Sequence, residues 1–386
     1  MLRTLRKSNI KNKVVILRLD LNVPVFNNKI LSDFRIIKSI PTIEYLLKNN
    51  NKIIIISHFG RPKEGEYVKE YSLKKVSKHL SSKINLEVKF VKDWSNGIKF
   101  TDSNVVMCEN IRFQKGEKSN STTLSKLIAT LGDVYVFDAF GVAHRKEAST
   151  FGVTSFIDSY AGLLIEDEIK NINKLVTNTK SPLVTIISGA KVSTKLNLIN
   201  SLINKTDYMI IGGGILNTFL AALNYNIGLS LYEKSFVNKA KKIIKSTNFK
   251  KIILPIDVVC SDDRQLDNPQ NKLISMVQSS DKILDVGKKT LSKYSDIVKN
   301  AKTVFWNGPL GYLEQKPYDF GTIQLSKAIA SANNFSIIGG GDTIPIIEKL
   351  GIESDISCLS TGGGSLLKYI EGEKLPILEK LGNYKQ

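Results

Sequence analysis

Three times in the second half of this chain a short apolar stretch runs straight into Gly-Gly-Gly. Met209-Ile210-Ile211 leads into Gly212 to Gly214, Ile337-Ile338 into Gly339 to Gly341, and Leu359-Ser360-Thr361 into Gly362 to Gly364. Each triplet precedes a segment of helical spacing, at 215–225, 342–350 and 365–371. A strand that stops in glycines ahead of a helix lets a ligand approach bare backbone. It also aims unpaired helix N–H groups, carrying about half a positive charge, at whatever sits there. An anion fits such a place best, phosphate above all. Glycine overall is ordinary, 26 of 386 residues, so the clustering carries the signal rather than the amount. Tight strand-to-helix turns need some glycine in any case, but three triplets exceed that need.

The rest of the chain alternates in the same way. Strand candidates lie at 14–19, 53–57, 105–108, 134–137, 183–188, 208–211, 252–254, 303–306, 336–338 and 356–359. They are continuous and rich in Ile and Val, as strands buried on both faces of a parallel sheet are. Helical spacing fills the intervals, for example 35–47 and 196–203. This is an α/β pattern of doubly wound, parallel-sheet, Rossmann-like domains, present twice. Length agrees, because 386 residues exceed one ordinary core. The expected organisation is a first domain over 1–161, a connecting helix over 162–176 with no strand of its own, and a second domain over 177–371. A last helix near 375–381 packs elsewhere.

Composition excludes several classes. Hydrophobic content of 42% and charged content of 24% describe a globular chain. No apolar run approaches the roughly 20 residues of a membrane span. Three widely spaced cysteines suggest a reducing compartment, hence the cytoplasm, and no disulfide framework. No CxxC or paired-His spacing suggests zinc. The formal charge of +19 raises nucleic-acid binding. Its lysines, however, are scattered through Lys/Asn/Ile-rich stretches instead of forming one stripe with aromatics. Only eight of the 55 basic residues are arginine. Where lysine is so favoured, an arginine marks a need for the planar, bidentate fork.

Four of the eight arginines sit where ligands of open parallel sheets bind, just past strand ends or at a helix start. Leu17-Arg18-Leu19-Asp20-Leu21-Asn22 places Asp20 and Asn22. Ser57-His58-Phe59-Gly60-Arg61-Pro62 places His58 and Arg61. Arg112 follows Glu109-Asn110-Ile111, His144 and Arg145 end the run from Asp138, and Arg35 opens the first helix. Their convergence implies a small, multiply anionic ligand. In the second half, Ser188-Gly189-Ala190-Lys191-Val192-Ser193-Thr194-Lys195 leads into a helix. Lys191 and Lys195, four apart, would share a face there and suit a nucleotide polyphosphate. Trp306-Asn307-Gly308-Pro309-Leu310-Gly311 offers a stiff turn, with Glu314 beyond it. Asp342, directly after the second triplet, reads as a magnesium contact or an N-cap. GxxxxGK[ST] and GxGxxG are both missing, and no general base or nucleophilic dyad is evident. That fits phosphoryl transfer between a carboxylate and a nucleotide phosphate, both already ionised, driven by positioning and charge neutralisation.

Taken in order, Ser-His-Phe-Gly-Arg-Pro, Asp-Ala-Phe-Gly-Val-Ala-His-Arg, Gly-Ala-Lys-Val-Ser, Trp-Asn-Gly-Pro, Gly-Gly-Gly-Asp-Thr and Ser-Thr-Gly-Gly-Gly resemble the phosphoglycerate kinase family. The resemblance runs from about Arg18 to about Pro376. It implies an N-terminal domain for 3-phosphoglycerate and a C-terminal one for Mg-ADP or Mg-ATP. It also implies a hinge that brings them together, and a segment, 372–386, returning to the first domain. Carried onto matching positions, Asp20, Asn22, Arg35, His58, Arg61, Arg112 and Arg145 would hold the phosphoglycerate. Arg35, Lys191 and the backbone of Gly362, Gly363 and Gly364 would neutralise the transferring phosphoryl. Gly189, Ala190, Lys195, Gly213, Gly214, Asn307, Pro309, Glu314, Gly340, Gly341, Asp342 and Thr343 would serve the nucleotide, with Asp342 on Mg2+. The resemblance further implies a monomer whose partners are 3-phosphoglycerate and ATP, with no nucleic acid and no membrane. The chain departs from the family's usual residues at Thr194, Lys288, Cys358, Ser365 and Lys368. None of these is a phosphate contact, so they bear on hinge coupling and rate.

Overall fold

The computed structural model describes residues 2–262 and 266–382. The chain divides into two compact units. The first holds Met1–Lys170, Gly364–Tyr369 and Glu373–Gln386; the second holds Asn171–Gly363 and Ile370–Gly372.

In the first unit the strands are β1 (Val14–Leu19), β2 (Val25–Phe26), β3 (Lys29–Ile30), β4 (Lys52–Ile56), β5 (Val88–Val91), β6 (Val105–Cys108), β7 (Val134–Asp138) and β8 (Ser159–Ala161). Six of them form one sheet, in the order β5-β6-β4-β1-β7-β8, with every pairing parallel. β2 and β3 are a separate short hairpin. Helices α1 (Phe34–Lys48), α2 (Lys74–Ile84), α3 (Thr122–Ala129) and α4 (Leu163–Val176) alternate with the strands. Ile53, Ile54, Ile55 and Ile56 are all fully buried, so both faces of β4 are covered. Each such side chain contributes about 1.5–3 kcal/mol by leaving water. The strand order reverses at β1, from which β4 lies to one side and β7 to the other. Sequence reading does not find β5 or β8: β5 is only partly buried and β8 has three residues.

The boundary between the units falls inside α4. Asp138, at the carboxyl end of β7, serves the start of this helix: its Oδ1 accepts the Ile165 N–H at 3.1 Å, and its Oδ2 accepts the Thr42 hydroxyl. A side chain at Gly162 would collide with that carboxyl. In the first unit the chain end also returns. The Arg3 N–H donates to the Leu381 carbonyl at 2.8 Å, after α12 (Pro376–Lys380).

The second unit repeats the plan. β9 (Leu183–Ile187), β10 (Tyr208–Ile211), β11 (Ile252–Ile253), β15 (Thr303–Asn307), β16 (Phe335–Gly339) and β17 (Cys358–Ser360) form a parallel sheet, ordered β11-β10-β9-β15-β16-β17. Its order reverses at β9, between β10 and β15. Its helices are α5 (Leu196–Ile203), α6 (Gly213–Ala222), α7 (Val237–Ile244), α8 (Lys288–Lys299), α9 (Phe320–Ala330) and α10 (Ile344–Leu350); α11 (Gly364–Ile370) follows. An antiparallel sheet of β12 (Asp257–Asp262), β13 (Gln270–Leu273) and β14 (Asp281–Val286) is an addition to the sequence expectation. β13 exposes most of its residues, so it carries no continuous apolar run. Among the described residues, no helix is long and apolar enough to cross a membrane.

Asp285, at the end of β14, repeats the capping device. It accepts the Gly321 N–H at 2.7 Å in the first turn of α9 and the Val286 N–H at 2.8 Å. Burial pushes both Asp138 and Asp285 up to about 7, against the hydrogen bonds that oppose it. A carboxyl raised in the folded state binds protons that the unfolded chain releases. Its contribution is therefore present below the unfolded value near 4 and is lost as pH rises through about 7. Each group should lower unfolding free energy by on the order of 2–3 kcal/mol between pH 5 and pH 8. Asp285→Asn should destabilise overall yet flatten that slope in urea titrations. An unchanged slope would mean the carboxylate is already ionised at pH 5.

Candidate active site

In the first unit the expected residues gather at the carboxyl ends of β1, β4, β6 and β7. Asp20 ends the β1 run and is 7% exposed. Its Oδ2 accepts Arg35 Nη1–H at 2.7 Å, and Oδ1 lies 3.8 Å from His58 Nδ1. Burial pushes the Asp20 carboxyl up. Positive charge nearby, that of Arg35 first, more than offsets this and holds it below the usual carboxylate range. Asn22 Oδ1 accepts the Gly60 N–H at 2.8 Å, tying the loop after β1 to the loop after β4. Gly60 sits at φ +61°, packed against the Tyr71 ring, a position that only glycine fills without strain. That turn leaves Arg61 exposed, with no hydrogen bond or ion pair among the described residues.

Arg112, after β6, is buried and donates to the Gly60 carbonyl at 3.0 Å and to Glu147 Oε1 at 3.2 Å. Arg145, after β7, reaches the same Glu147 oxygen at 3.5 Å. Glu147 thus clamps two arginines side by side. Its Oε2 and the Arg112 Nε are buried with no hydrogen-bond partner among the described residues. His144, beside Arg145, bonds through Nδ1 to Ser365 Oγ at 2.7 Å at the start of α11. Burial, then the charge of Arg145, pulls its imidazole down to about 4, so it is neutral near pH 7. His58 is likewise pulled well below its ordinary value, chiefly by burial.

Beneath this cluster lies a layer that sequence reading misses. Arg18 is fully buried; its Nε–H donates to Ser149 Oγ at 3.0 Å, and its Nη2 lies 3.5 Å from His58 Nδ1. Glu117, also fully buried, accepts both the Ser149 N–H and its hydroxyl. The available signal was Arg18 itself: an arginine inside an apolar strand run needs a buried acceptor.

In the second unit the loops after β9, β10, β15 and β16 meet. The triplets do not all present bare backbone. A Cβ on Gly213, at φ +60°, would sit 2.8 Å from the Gly189 carbonyl oxygen, and one on Gly214 would collide with the Ala190 carbonyl. Gly308, at φ +95°, packs on the Ser188 carbonyl in the same way. The Gly213 N–H already donates to the Leu310 carbonyl at 3.1 Å and the Ile215 N–H to that of Gly189 at 3.2 Å. This corrects the sequence expectation of unpaired amides at the start of α6. Gly189, Gly341 and Gly363, in contrast, face open space.

Lys195 Nζ donates to Asn307 Oδ1, at the end of β15. Burial pulls this lysine down to about 8, against the charges of Glu371 and Asp342. Lys191 and Lys195 do not share a helical face. Val192–Thr194 is a 3-10 turn and Lys191 is extended, so Lys191 stands exposed while Lys195 folds back onto Asn307. Asp342 is exposed and makes no cap; the N-cap position of α10 is Thr343, without a side-chain capping bond. The Thr343 hydroxyl is buried without a hydrogen-bond partner among the described residues. Ser188 Oγ donates to the Pro309 carbonyl, which holds that turn. Ala190 and Glu314 are exposed and Gly340 is half-buried, at φ +129°. Gly364, exposed, falls with the first unit, and Gly363 with the second. Among the described residues no group of three or more His, Cys, Asp or Glu could hold a metal. A lone exposed carboxylate suits an ion that arrives on a phosphate ligand, as magnesium does.

Cys358 is buried in β17 and is in no disulfide among the described residues. It lacks the charge of a histidine, and direct transfer needs no thiol nucleophile. Cys358→Ser should therefore leave kcat within about threefold, under ~1 kcal/mol of barrier. Cys358→His should add a pH dependence near neutrality, where histidine titrates. Loss of most activity in Cys358→Ser, with the circular dichroism spectrum intact, would restore a covalent mechanism.

Comparison with known proteins bears on the fold and the family. The family model described as phosphoglycerate kinase matches residues 5–373. The phosphoglycerate kinase of Francisella tularensis subsp. novicida is 44% identical over 382 residues, 98% of this chain and 97% of its own length. That of Vibrio campbellii is 44% identical over 376 residues, 97% and 96% of the two chains. Among solved structures, phosphoglycerate kinase from Coxiella burnetii aligns with a TM-score of 0.86 at 39% identity, covering 99% of both chains. The Pyrococcus horikoshii enzyme aligns at 0.87 with 30% identity, covering 99% and 98%. With two reversing parallel sheets, an arginine cluster on one and glycine loops on the other, the chain belongs to the phosphoglycerate kinase family.

Proposed function

We propose that this chain moves a phosphoryl group reversibly between the acyl phosphate of 1,3-bisphosphoglycerate and ADP, giving 3-phosphoglycerate and ATP. The supporting observation is the arginine cluster of the first unit. Arg61, Arg112 and Arg145 follow neighbouring strand ends and Arg35 lies in the first turn of α1; Asp20 pairs with Arg35, and Glu147 with Arg112 and Arg145. The remaining positive charge suits a phosphate and a carboxylate on one small ligand.

Arg112 and Arg145, held by Glu147, would bind the ligand's phosphate, with Arg61 free to close over it. Asp20 and Asn22 would orient its hydroxyl and carboxyl end. Arg35 uses Nη1 on Asp20 and keeps its other nitrogens for the transferring phosphoryl, where charge neutralisation lowers the barrier. In the second unit, Lys195 and the open backbone at Gly189 and Gly341 would meet the nucleotide phosphates, with Lys191 exposed beside them. Magnesium brought on the nucleotide would neutralise phosphate charge, and Asp342 is the carboxylate that would hold it. The glycolytic direction, a cytoplasmic location and a monomeric state complete the proposal. That Cys108, Cys260 and Cys358 form no disulfide among the described residues favours a reducing compartment, and sedimentation tests the monomer.

A coupled assay with ATP, magnesium and 3-phosphoglycerate tests the reading, with glycerate and other unphosphorylated acids as comparators. Turnover confined to 3-phosphoglycerate and dependent on magnesium supports it. Equal turnover of the unphosphorylated acids would assign a broader small-acid kinase.

A further inference from the structure

The buried layer under the arginine cluster does more than fill space. Arg18 donates with every nitrogen it shows: Nε to Ser149 Oγ, Nη1 to the Leu19 carbonyl, and Nη2 toward His58 Nδ1. Ser149 has one hydroxyl proton, and it goes to Glu117 Oε1 at 2.5 Å, while the Ser149 N–H goes to Oε2 at 2.9 Å. The lone pairs of Ser149 Oγ are thereby turned toward Arg18. The Tyr135 hydroxyl, on β7, bonds the Ser149 carbonyl at 2.7 Å and pins the same residue from the other side.

His58 has two competing neighbours at Nδ1. Arg18 Nη2, at 3.5 Å, can only donate, and requires a bare Nδ1 lone pair. Asp20 Oδ1, at 3.8 Å, can only accept, and would favour a proton on Nδ1. A neutral imidazole carries one proton, so the position of Arg18 decides which nitrogen holds it. We propose that Glu117 and Ser149 are positioning residues which, through Arg18, hold His58 as its Nε2–H tautomer and so present an N–H donor to the anionic substrate. This rests on the proposed binding of phosphoglycerate by the first unit. Its tautomer statement concerns the ligand-free protein and stands apart from that reading.

The test uses the full chain with 15N-labelled histidine. In the wild type, the His58 nitrogens should show the Nε2–H pattern. In Glu117→Gln, an amide N–H₂ replaces an acceptor beside Ser149, the hydroxyl loses its fixed direction, and His58 should shift toward Nδ1–H or a mixture. KM for 3-phosphoglycerate should rise about tenfold, with kcat and KM for ATP within about threefold, a change of roughly 1.4 kcal/mol in substrate binding alone. Should Glu117→Gln fail to fold, Ser149→Ala decides the matter. It removes only the hydroxyl link and should move the tautomer the same way, while Ser149→Thr, which keeps a hydroxyl, should restore it. Glu64→Gln is the control. Glu64 accepts loop amides from Gly116 and Lys118, away from Ser149, and should leave His58 untouched. A His58 tautomer unchanged in folded Glu117→Gln or Ser149→Ala overturns the proposal, as does a wild-type Nδ1–H pattern. A shifted tautomer with no turnover of 3-phosphoglycerate by the wild type would uphold the positioning and sink the substrate reading instead.

Discussion

Arg35→Ala should lower kcat by about 10²–10³-fold, some 3–4 kcal/mol of barrier, while KM for 3-phosphoglycerate changes by no more than about fivefold. The basis is its geometry. One guanidinium nitrogen is committed to Asp20 at 2.7 Å, and the side chain is 28% exposed, so the rest of the fork is fixed in direction yet available. A group held that way, with no hydrogen bond from its remaining nitrogens among the described residues, stabilises charge that develops only during transfer. Arg112→Ala should behave in the opposite way. Its contacts to Glu147 and the Gly60 carbonyl make it part of a static anion site, so KM should rise at least about tenfold with kcat within about fivefold. It should also cost about 1–3 kcal/mol of stability, because Glu147 would be left buried without its closer partner. Equal, small effects of both substitutions on kcat would remove Arg35 from the transfer step.

Gly308→Ala should abolish measurable ATP binding and destabilise the second unit by about 2–4 kcal/mol. The residue sits at φ +95°, and its Cβ would press into the carbonyl of Ser188, which is backbone and cannot swing away. Either the loop after β15 or the loop after β9 must move. Asn307, which holds Lys195, is the neighbouring residue and would move with it. Binding of 3-phosphoglycerate, measured by calorimetry, should survive, because its proposed residues lie in the first unit. Retained ATP affinity in folded Gly308→Ala would show that the two loops can separate without loss. Gly341→Ala is a useful contrast. Gly341 has open space around it, so an added methyl there meets only ligand.

Much of this architecture is legible before any coordinates. Runs such as 53–56 and Leu183–Ile187 are continuous and mostly apolar because both sheet faces are buried. The arginines at 35, 61, 112 and 145 stand out because the chain otherwise prefers lysine. β13 is not legible, since its exposed residues leave no apolar period to detect. The glycine triplets are legible as loops but not in their division of labour. Backbone contact between Gly213 and Gly189 joins residues 24 positions apart, and local pattern carries no trace of it.

The sequence by itself determined the α/β class and the doubled plan, and it singled out the arginines at 35, 61, 112 and 145. These depend on local hydrophobic period and on residue chemistry, both of which are properties of short segments. Only the tertiary structure decided which carboxylate restrains each arginine: Asp20 for Arg35, Glu147 for Arg112 and Arg145, and Glu117 behind Ser149 for Arg18. It also decided that Lys195 turns to Asn307 while Lys191 stays exposed. The physical reason is range. A strand's periodicity is settled within a few residues, but the cost of burying a charge is met only by a partner that folding brings from elsewhere in the chain.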